Sequence, residues 1–147
     1  MIVHFRMPEI VLGVFIDASP EVCFDLVRDP RVQGSIVGSS SEEIGIGQLL
    51  TFEKRVLGIR QRFTVEVVEF ERPRRFVDEM RRGVFKSFRH VHEFVPQGGG
   101  TLIKDSLYWI SPLGLLGALA DRVFIERLLR QLVGARNARL KEIAERN

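Results

Sequence analysis

The spacing at which apolar residues recur in this chain changes near residue 111. It is two residues before that point and three to four residues after it, and this change limits the folds that the chain can adopt. Through residues 41–110 apolar side chains alternate with polar ones, a pattern typical of half-buried strands. From about Gly117 onward apolar residues recur at spacings of three and four, which predicts one helix of roughly 25–30 residues. We therefore predict an α+β fold in which a long C-terminal helix covers an antiparallel sheet.

Glycine and proline turns divide the alternating region into five strands. They are predicted at residues 49–57, 62–70, 76–82, 84–95 and 101–110, with breaks at Gly58, Arg72-Pro73-Arg74, Gly83 and the loop from Pro96 to Gly100. Connections this short join antiparallel neighbours, because parallel strands need long crossovers. The region is therefore a meander in which consecutive strands pair.

A strand and a helix precede the meander. Residues 9–17 are predicted to form a strand. Ser19 and Pro20 are typical of a helix N-cap and of the first helical position, and Asp29-Pro30 ends the helix. The glycine- and serine-rich stretch 34–41 is expected to hold at most a second short helix.

Composition sets further limits on the chain. Its 147 residues suit one domain, and we expect residues 1–8 to be a leader ahead of it. The counts of Phe 11, Trp 1 and Tyr 1 predict an apolar interior or cavity with little need for ring hydrogen bonds. The single cysteine, Cys23, excludes an internal disulfide and is expected to be a buried core residue.

We predict a cytoplasmic protein, a monomer or a homodimer, with no membrane span and no signal peptide. No stretch approaches the roughly 18–20 apolar residues of a span, and Pro8 and Glu9 come too early for a signal-peptide core. The net charge of +3 is too weak to indicate nucleic acid. We expect most of the basic residues, a set that includes Lys54 on the sheet and Arg136 on the helix, to lie on solvated faces. Weak attraction to anionic membrane surfaces is the minority alternative.

Several segments share the order of motifs found in one superfamily. Residues 15–26 combine a strand, an Ala18-Ser19-Pro20-Glu21 turn and an amphipathic helix, which ends at Asp29-Pro30. Segments 72–79 and 88–94, with Gly83 between them, follow, and then come segments 112–114, 119–122 and 136–140. Together they resemble the SRPBCC superfamily, which includes START-like, pollen-allergen-like and polyketide cyclase/dehydrase domains. The resemblance implies the helix-grip fold, a curved antiparallel β-sheet wrapped around a long C-terminal α-helix, with short helices after the first strand and an apolar cavity. It implies no particular reaction.

The strand at residues 88–94 carries two of the three histidines. Strand geometry sends alternate side chains to one face, and we place the more apolar set inward: Phe88, His90, His92 and Phe94. The facing strand has a similar inward set, Ile103, Asp105, Leu107 and Trp109. These faces bring Asp105 close to a histidine, and Asp78 on the preceding strand adds a second inward carboxylate.

This polar cluster has three interpretations. An aspartate that orients His90 or His92 would make the histidine an acid or base toward a ligand. A self-satisfied network of histidines and carboxylates fits the same residues, and we favour it because buried polar groups need partners. His90, His92 and Asp105 could also hold a metal ion, but we predict neither a metal nor a cofactor. The Gly45-Ile46-Gly47 segment lacks the third glycine and the helix of a dinucleotide site.

We predict a domain that binds a small hydrophobic or amphipathic ligand, such as a lipid, a polyketide or an isoprenoid-like molecule, between the sheet and the C-terminal helix. The predicted ligand-binding residues are Phe63, Phe76, Phe88, Phe94, Trp109, Val123 and Phe124 on the apolar wall, and Asp78, His90, His92 and Asp105 at the polar end. The alternatives are a cyclase- or dehydrase-type enzyme that uses the histidine–aspartate cluster, and a partner-binding domain that uses the apolar segment 113–119.

Overall fold

The computed structural model describes residues 8–33, 36–40, 45–56, 58–111 and 124–146. The elements are β1 (Glu9–Ile16), α1 (Pro20–Val27), α2 (Pro30–Gln33), β2 (Ile36–Ser39), β3 (Leu49–Val56), β4 (Ile59–Glu71), β5 (Arg75–Arg82), β6 (Ser87–Gln97), β7 (Gly100–Ile110) and α3 (Glu126–Glu145). The strands form one antiparallel sheet in the order β1-β7-β6-β5-β4-β3-β2. Helix α3 packs against β1, α1 and α2, and the sheet is curved. This arrangement is the predicted α+β helix-grip fold.

The β6–β7 hairpin sets the register on which the polar cluster depends. Its turn consists of only Gly98 and Gly99, which both have positive φ, at 56° and 82°. Two-residue turns of this kind match the twist of antiparallel strands, and glycine adopts them without strain. The strands therefore extend further into the predicted loop, and the register places His92 opposite Asp105.

Helix α1 begins and packs as its sequence predicts. The Oγ of Ser19 accepts a hydrogen bond of 3.2 Å from the backbone N–H of Val22, and Pro20 occupies the first turn. The inner face of the helix buries Cys23, Phe24 and Val27. Cys23 is fully buried, and burial raises the pKa of its thiol.

The hydrophobic core is divided into two large clusters. The first forms where the ring of Phe24 meets those of Phe76 and Phe94, with centroids 5.4 and 5.1 Å away. The second lies nearer the start of α3 and comprises Ile10, Leu107, Trp109, Leu129 and Val133. Three phenylalanine rings therefore form the centre of the first cluster.

Helix α3 turns one face toward the sheet. Its buried residues recur at helical spacing: Leu129, Val133, Arg136, Asn137, Leu140 and Ala144. Two of these six are polar, so the buried face is not purely apolar. Within the described residues, no helix is both long enough and apolar enough to cross a bilayer.

Three elements differ from their predicted positions. Strand β4 begins at Ile59 and β6 begins at Ser87, three residues before and three residues after the predicted starts. Strand β2 pairs with β3 where at most a short helix was expected, and the short helix α2 lies before it. Its sequence, Ile36-Val37-Gly38-Ser39, begins with two adjacent apolar residues and lacks the alternation that indicates a strand. The expected helix start near residue 117, the segment 113–119 and leader residues 1–7 lie outside the described residues.

Gly100 lies where β1 passes close to the start of β7. A methyl group at this position would be 2.5 Å from the backbone oxygen of Ile16 and 2.6 Å from the ring of Phe15.

We expect Gly100→Ala to lower the free energy of unfolding by about 1–3 kcal/mol in urea denaturation, because β1 must shift. Gly134→Ala is the control, since Gly134 is exposed in α3 with nothing within 4 Å of an added methyl. It should raise stability by roughly 0.5–1 kcal/mol, and equal effects of the two changes would contradict this account.

Candidate functional site

A cavity lies between the inner face of the sheet and α3. Its volume is about 130 Å³. One water molecule requires roughly 10–15 Å³, so the cavity has room for a larger molecule. Most of its wall is apolar. The sheet contributes Phe52, Phe63, Val65, Phe88 and Leu107, and α3 contributes Leu129, Leu132 and Val133. The polar lining residues are Gln33, Lys54, Asp78, His90, His92 and Arg136.

Asp105 is the centre of the polar cluster behind this wall. Its side chain is fully buried, and its Oδ1 contacts His90 Nε2 at 2.7 Å and accepts from Arg136 Nη2, also at 2.7 Å. Its Oδ2 accepts a hydrogen bond of 3.1 Å from Asn137 Nδ2. Two neighbouring residues of α3 thus hold a carboxylate of β7, which joins the helix to the sheet.

His92 connects Asp78 to the same network. Its Nε2 lies 3.0 Å from Asp78 Oδ2, and its Nδ1 lies 3.3 Å from Arg136 Nη1. A guanidinium only donates hydrogen bonds, so Nδ1 is the acceptor, and in the neutral ring Nε2 carries the proton and donates to Asp78. The ring is stacked between Phe76 and His90, with centroids 3.9 and 3.6 Å away.

The strand register explains why these pairs form. Asp78 lies opposite His90, and His92 lies opposite Asp105. The hydrogen bonds run along the diagonals, from His90 to Asp105 and from His92 to Asp78, and long side chains on one face of a sheet can reach these distances. The network therefore requires the alignment of β5, β6 and β7 to be correct to the residue.

Two groups of this cluster, His90 and Asp105, have pKa values that the folded structure lowers. Burial, followed by the neighbouring His92, lowers the pKa of His90 from 6.5 to about 4, although the hydrogen bond to Asp105 opposes the shift. Burial alone would raise the pKa of Asp105, but the charge of Arg136 and the hydrogen bond from His90 hold it well below its ordinary value of 3.8. His90 is thus a neutral imidazole whose Nε2–H donates to an ionised carboxylate, which leaves Nδ1 as an acceptor.

The arrangement does not suit a metal ion. Among the described residues, His90, His92 and Asp105 offer three ligand atoms within 4.8 Å of one another. The guanidinium of Arg136, however, contacts both His92 and the Asp105 oxygen that a cation would use. A metal would have to displace this fixed positive charge. The three residues therefore fit a hydrogen-bonded network and not a metal centre.

Arg28 forms a second buried polar group, next to Asp78. Its side chain packs over the rings of Phe70 and Phe76, and its Nη2 donates to Gln48 Oε1 at 2.6 Å. Burial lowers the pKa of Arg28, while the charge of Asp78 opposes the shift. Within the described structure, Arg28 Nε and Nη1 and Asp78 Oδ1 are buried and have no hydrogen-bond partner. Asp78 also lines the cavity, so this carboxylate lies close to the ligand space.

The structure brings together some of the predicted ligand-binding residues. Those on the cavity wall are Phe63, Asp78, Phe88, His90 and His92. Asp105 lies behind the histidines, and Phe76, Phe94 and Trp109 are buried in the two core clusters. Phe124 does not line the cavity, because it precedes α3 and is 58% exposed. Val123 lies outside the described residues.

Two polar residues of the site were assigned to solvent from the sequence, and both assignments are wrong. Arg136 is only 4% exposed, because it lies three residues after Val133 and four before Leu140 on the buried face of α3. Lys54 lines the cavity, because it shares the inward face of β3 with Leu50 and Phe52. The spacing of neighbouring apolar residues could have identified both positions. Their charge pointed to solvent instead.

Acid should destabilise the fold through His90. Because its pKa falls from 6.5 to about 4 on folding, stability present above pH 6.5 is lost as the pH falls toward 4. A shift of this size corresponds to about 3 kcal/mol. We expect urea unfolding at pH 7 and pH 4.5 to show a larger loss for the wild type than for His90→Gln, whose amide can still donate to Asp105. The same loss in both proteins would contradict the neutral, buried state of His90.

Removal of the Arg136 charge should destabilise the protein far more than removal of a surface charge on the same helix. Arg136→Met leaves Asp105 buried without its counter-ion, and we expect a loss of about 3–5 kcal/mol in urea unfolding at pH 7. The control is Arg130→Met, because Arg130 forms an exposed ion pair with Glu126 at 3.0 Å. Exposed pairs of this type contribute about 0.3–0.5 kcal/mol. Losses of similar size in the two variants would refute the central role of Arg136.

Several solved structures share this architecture. The Zhui aromatase/cyclase from Streptomyces sp. R1128 superimposes with a TM-score of 0.79 at 13% identity, over 96% of this chain and 95% of that one. A START superfamily protein from Mycobacterium smegmatis gives 0.72 at 18% identity, over 94% and 97%. A protein from Thermus thermophilus gives 0.75 at 21% identity, over 92% and 95%. At these identities the likeness shows the fold alone.

A family model gives the assignment that the structures cannot. The model described as polyketide cyclase / dehydrase and lipid transport matches residues 7–145, which is nearly the whole chain. No curated protein matches the sequence significantly. The chain therefore belongs to the polyketide cyclase / dehydrase and lipid transport family, within the SRPBCC superfamily of ligand-binding domains.

Proposed function

We propose that this domain binds a small amphipathic molecule of the lipid, polyketide or isoprenoid type in the cavity between the sheet and α3. The observation that carries the proposal is the composition of the wall. Eight of its fourteen described lining residues are phenylalanine, leucine or valine, and they come from both the sheet and the helix. Cavities of this kind hold apolar ligands, and a few polar groups fix their orientation. Asp78 and His90 can serve that purpose here.

The state of the histidines favours binding over acid–base catalysis. A general base works best when its pKa lies near the operating pH, whereas the pKa of His90 is about 4. His92 uses both ring nitrogens within the network, and both oxygens of Asp105 accept hydrogen bonds. A cluster satisfied in this way can orient a ligand without exchanging protons with it. The cyclase- or dehydrase-type enzyme is therefore the second candidate.

Binding can be tested with the neutral apolar dye N-phenyl-1-naphthylamine, whose fluorescence increases in an apolar site. We expect the purified protein to bind the dye. Leu132→Trp should weaken binding about tenfold or more, or 1.4 kcal/mol, because Leu132 lines the cavity and a larger side chain would fill it. Native mass spectrometry of gently purified protein should reveal a bound amphipathic molecule as added mass.

The matched control for this test is Leu128→Trp. Leu128 is also half-buried on α3, but it does not line the cavity, so the dye should bind this variant as it binds the wild type. Equal weakening by both substitutions, or no binding of the dye to any of the three proteins, would refute the proposal. Turnover that His90→Gln abolishes without a change in dye affinity would favour the enzyme.

A further inference from the structure

Lys54 is a cation in an otherwise apolar part of the cavity wall. It follows Leu50 and Phe52 on the inward face of β3, and both are only 8% exposed. Phe52 stacks on Phe63 of β4 at 5.3 Å, and Lys54 lines the cavity beside these two rings. A lysine in such surroundings normally extends its ammonium group into water. Here the side chain is half-buried and faces the ligand space.

Lys54 forms no hydrogen bond or ion pair with the described part of the chain, unlike many of the basic residues on the outer face of the sheet. Arg60 and Arg62 both pair with Glu53, at 3.0 and 3.1 Å. The arginines of the next strands also have carboxylate partners: Arg75, Arg81 and Arg89. Five outward arginines of the sheet therefore have a carboxylate partner, whereas the inward Lys54 has none among the described residues.

The charged residues that the structure describes around the cavity do not compensate Lys54. Arg136 is paired with Asp105 at 2.7 Å, and the charges of Arg28 and Asp78 act on each other. Arg139, which donates to the backbone oxygen of Val32, adds a further positive charge near Lys54. Burial, followed by the charges of Arg139 and Arg136, lowers the pKa of Lys54. An anion beside the ammonium group would relieve both effects.

We propose that the ligand carries a carboxylate at one end, which pairs with the ammonium group of Lys54; this inference rests on the proposed function. The apolar part of the ligand would then lie against Phe52, Phe63 and the leucines of α3. A carboxylate carries one negative charge, and Lys54 is the one described lining cation without an anionic partner. A phosphate monoester carries nearly two negative charges and would need a second cation, whereas Arg139 does not line the cavity.

Three ligands that share one alkyl chain test this inference through displacement of N-phenyl-1-naphthylamine. We expect decanoate to bind about tenfold more tightly than decanol, and decyl phosphate to bind no more tightly than decanoate. Lys54→Met keeps the length of the side chain and removes its charge. It should weaken decanoate about tenfold more than it changes decanol or the dye, and it should not lower the melting temperature, because the cation has no partner to lose. Lys54→Arg should retain the preference for decanoate.

The charge control is Lys104→Met, because Lys104 is exposed on β7, and it should leave all three affinities unchanged. Equal binding of decanoate and decanol, or equal weakening of both by Lys54→Met, would overturn the inference while the dye still binds. Tighter binding of decyl phosphate than of decanoate would overturn the assignment to a carboxylate. Failure of the dye itself to bind would instead refute the proposed function.

Discussion

The ion pair between the ionised Asp105 of β7 and the guanidinium of Arg136 fixes how α3 packs on the sheet, and the arrangement of the interior depends on this packing. Either charge alone would be costly to bury. Together with Asn137 and His90 they satisfy one another across β6, β7 and α3. The orientation of α3 about its own axis is thereby fixed, because a rotation about that axis would move Arg136 away from the carboxylate of Asp105.

The network also divides the interior in two. Along β7 the inward residues run from Ile103 in one apolar cluster, through Asp105, to Leu107 and Trp109 in the other. Along α3 the order of the clusters is reversed. Val133 belongs to the second cluster, Arg136 and Asn137 follow in the polar network, and the apolar residues after them belong to the first cluster. The cavity borders this polar layer and the second cluster, so polar and apolar groups meet at its wall.

Most of the fold could be predicted from the sequence because period and turn chemistry are local properties. Alternation located the meander, and it placed Asp78, His90, His92 and Asp105 on the inward face. The partner of Arg136 lies 31 residues away, and one sequence does not reveal which distant groups meet. A charged residue on an apolar stripe, as at Lys54, is therefore ambiguous without a structure. The short β2 was missed because its four residues do not alternate between apolar and polar.

The division between network and cavity wall affects how this domain can change over time. The side chains that fix the frame, Asp105, Arg136 and Asn137, are nearly or fully buried and hydrogen-bonded to one another. Wall residues such as Phe63, Phe88 and Leu132 are only partly buried. Substitutions in the wall can alter the size and shape of the cavity while the frame stays intact. Ligand preference can therefore diverge between homologous proteins faster than the fold that carries it.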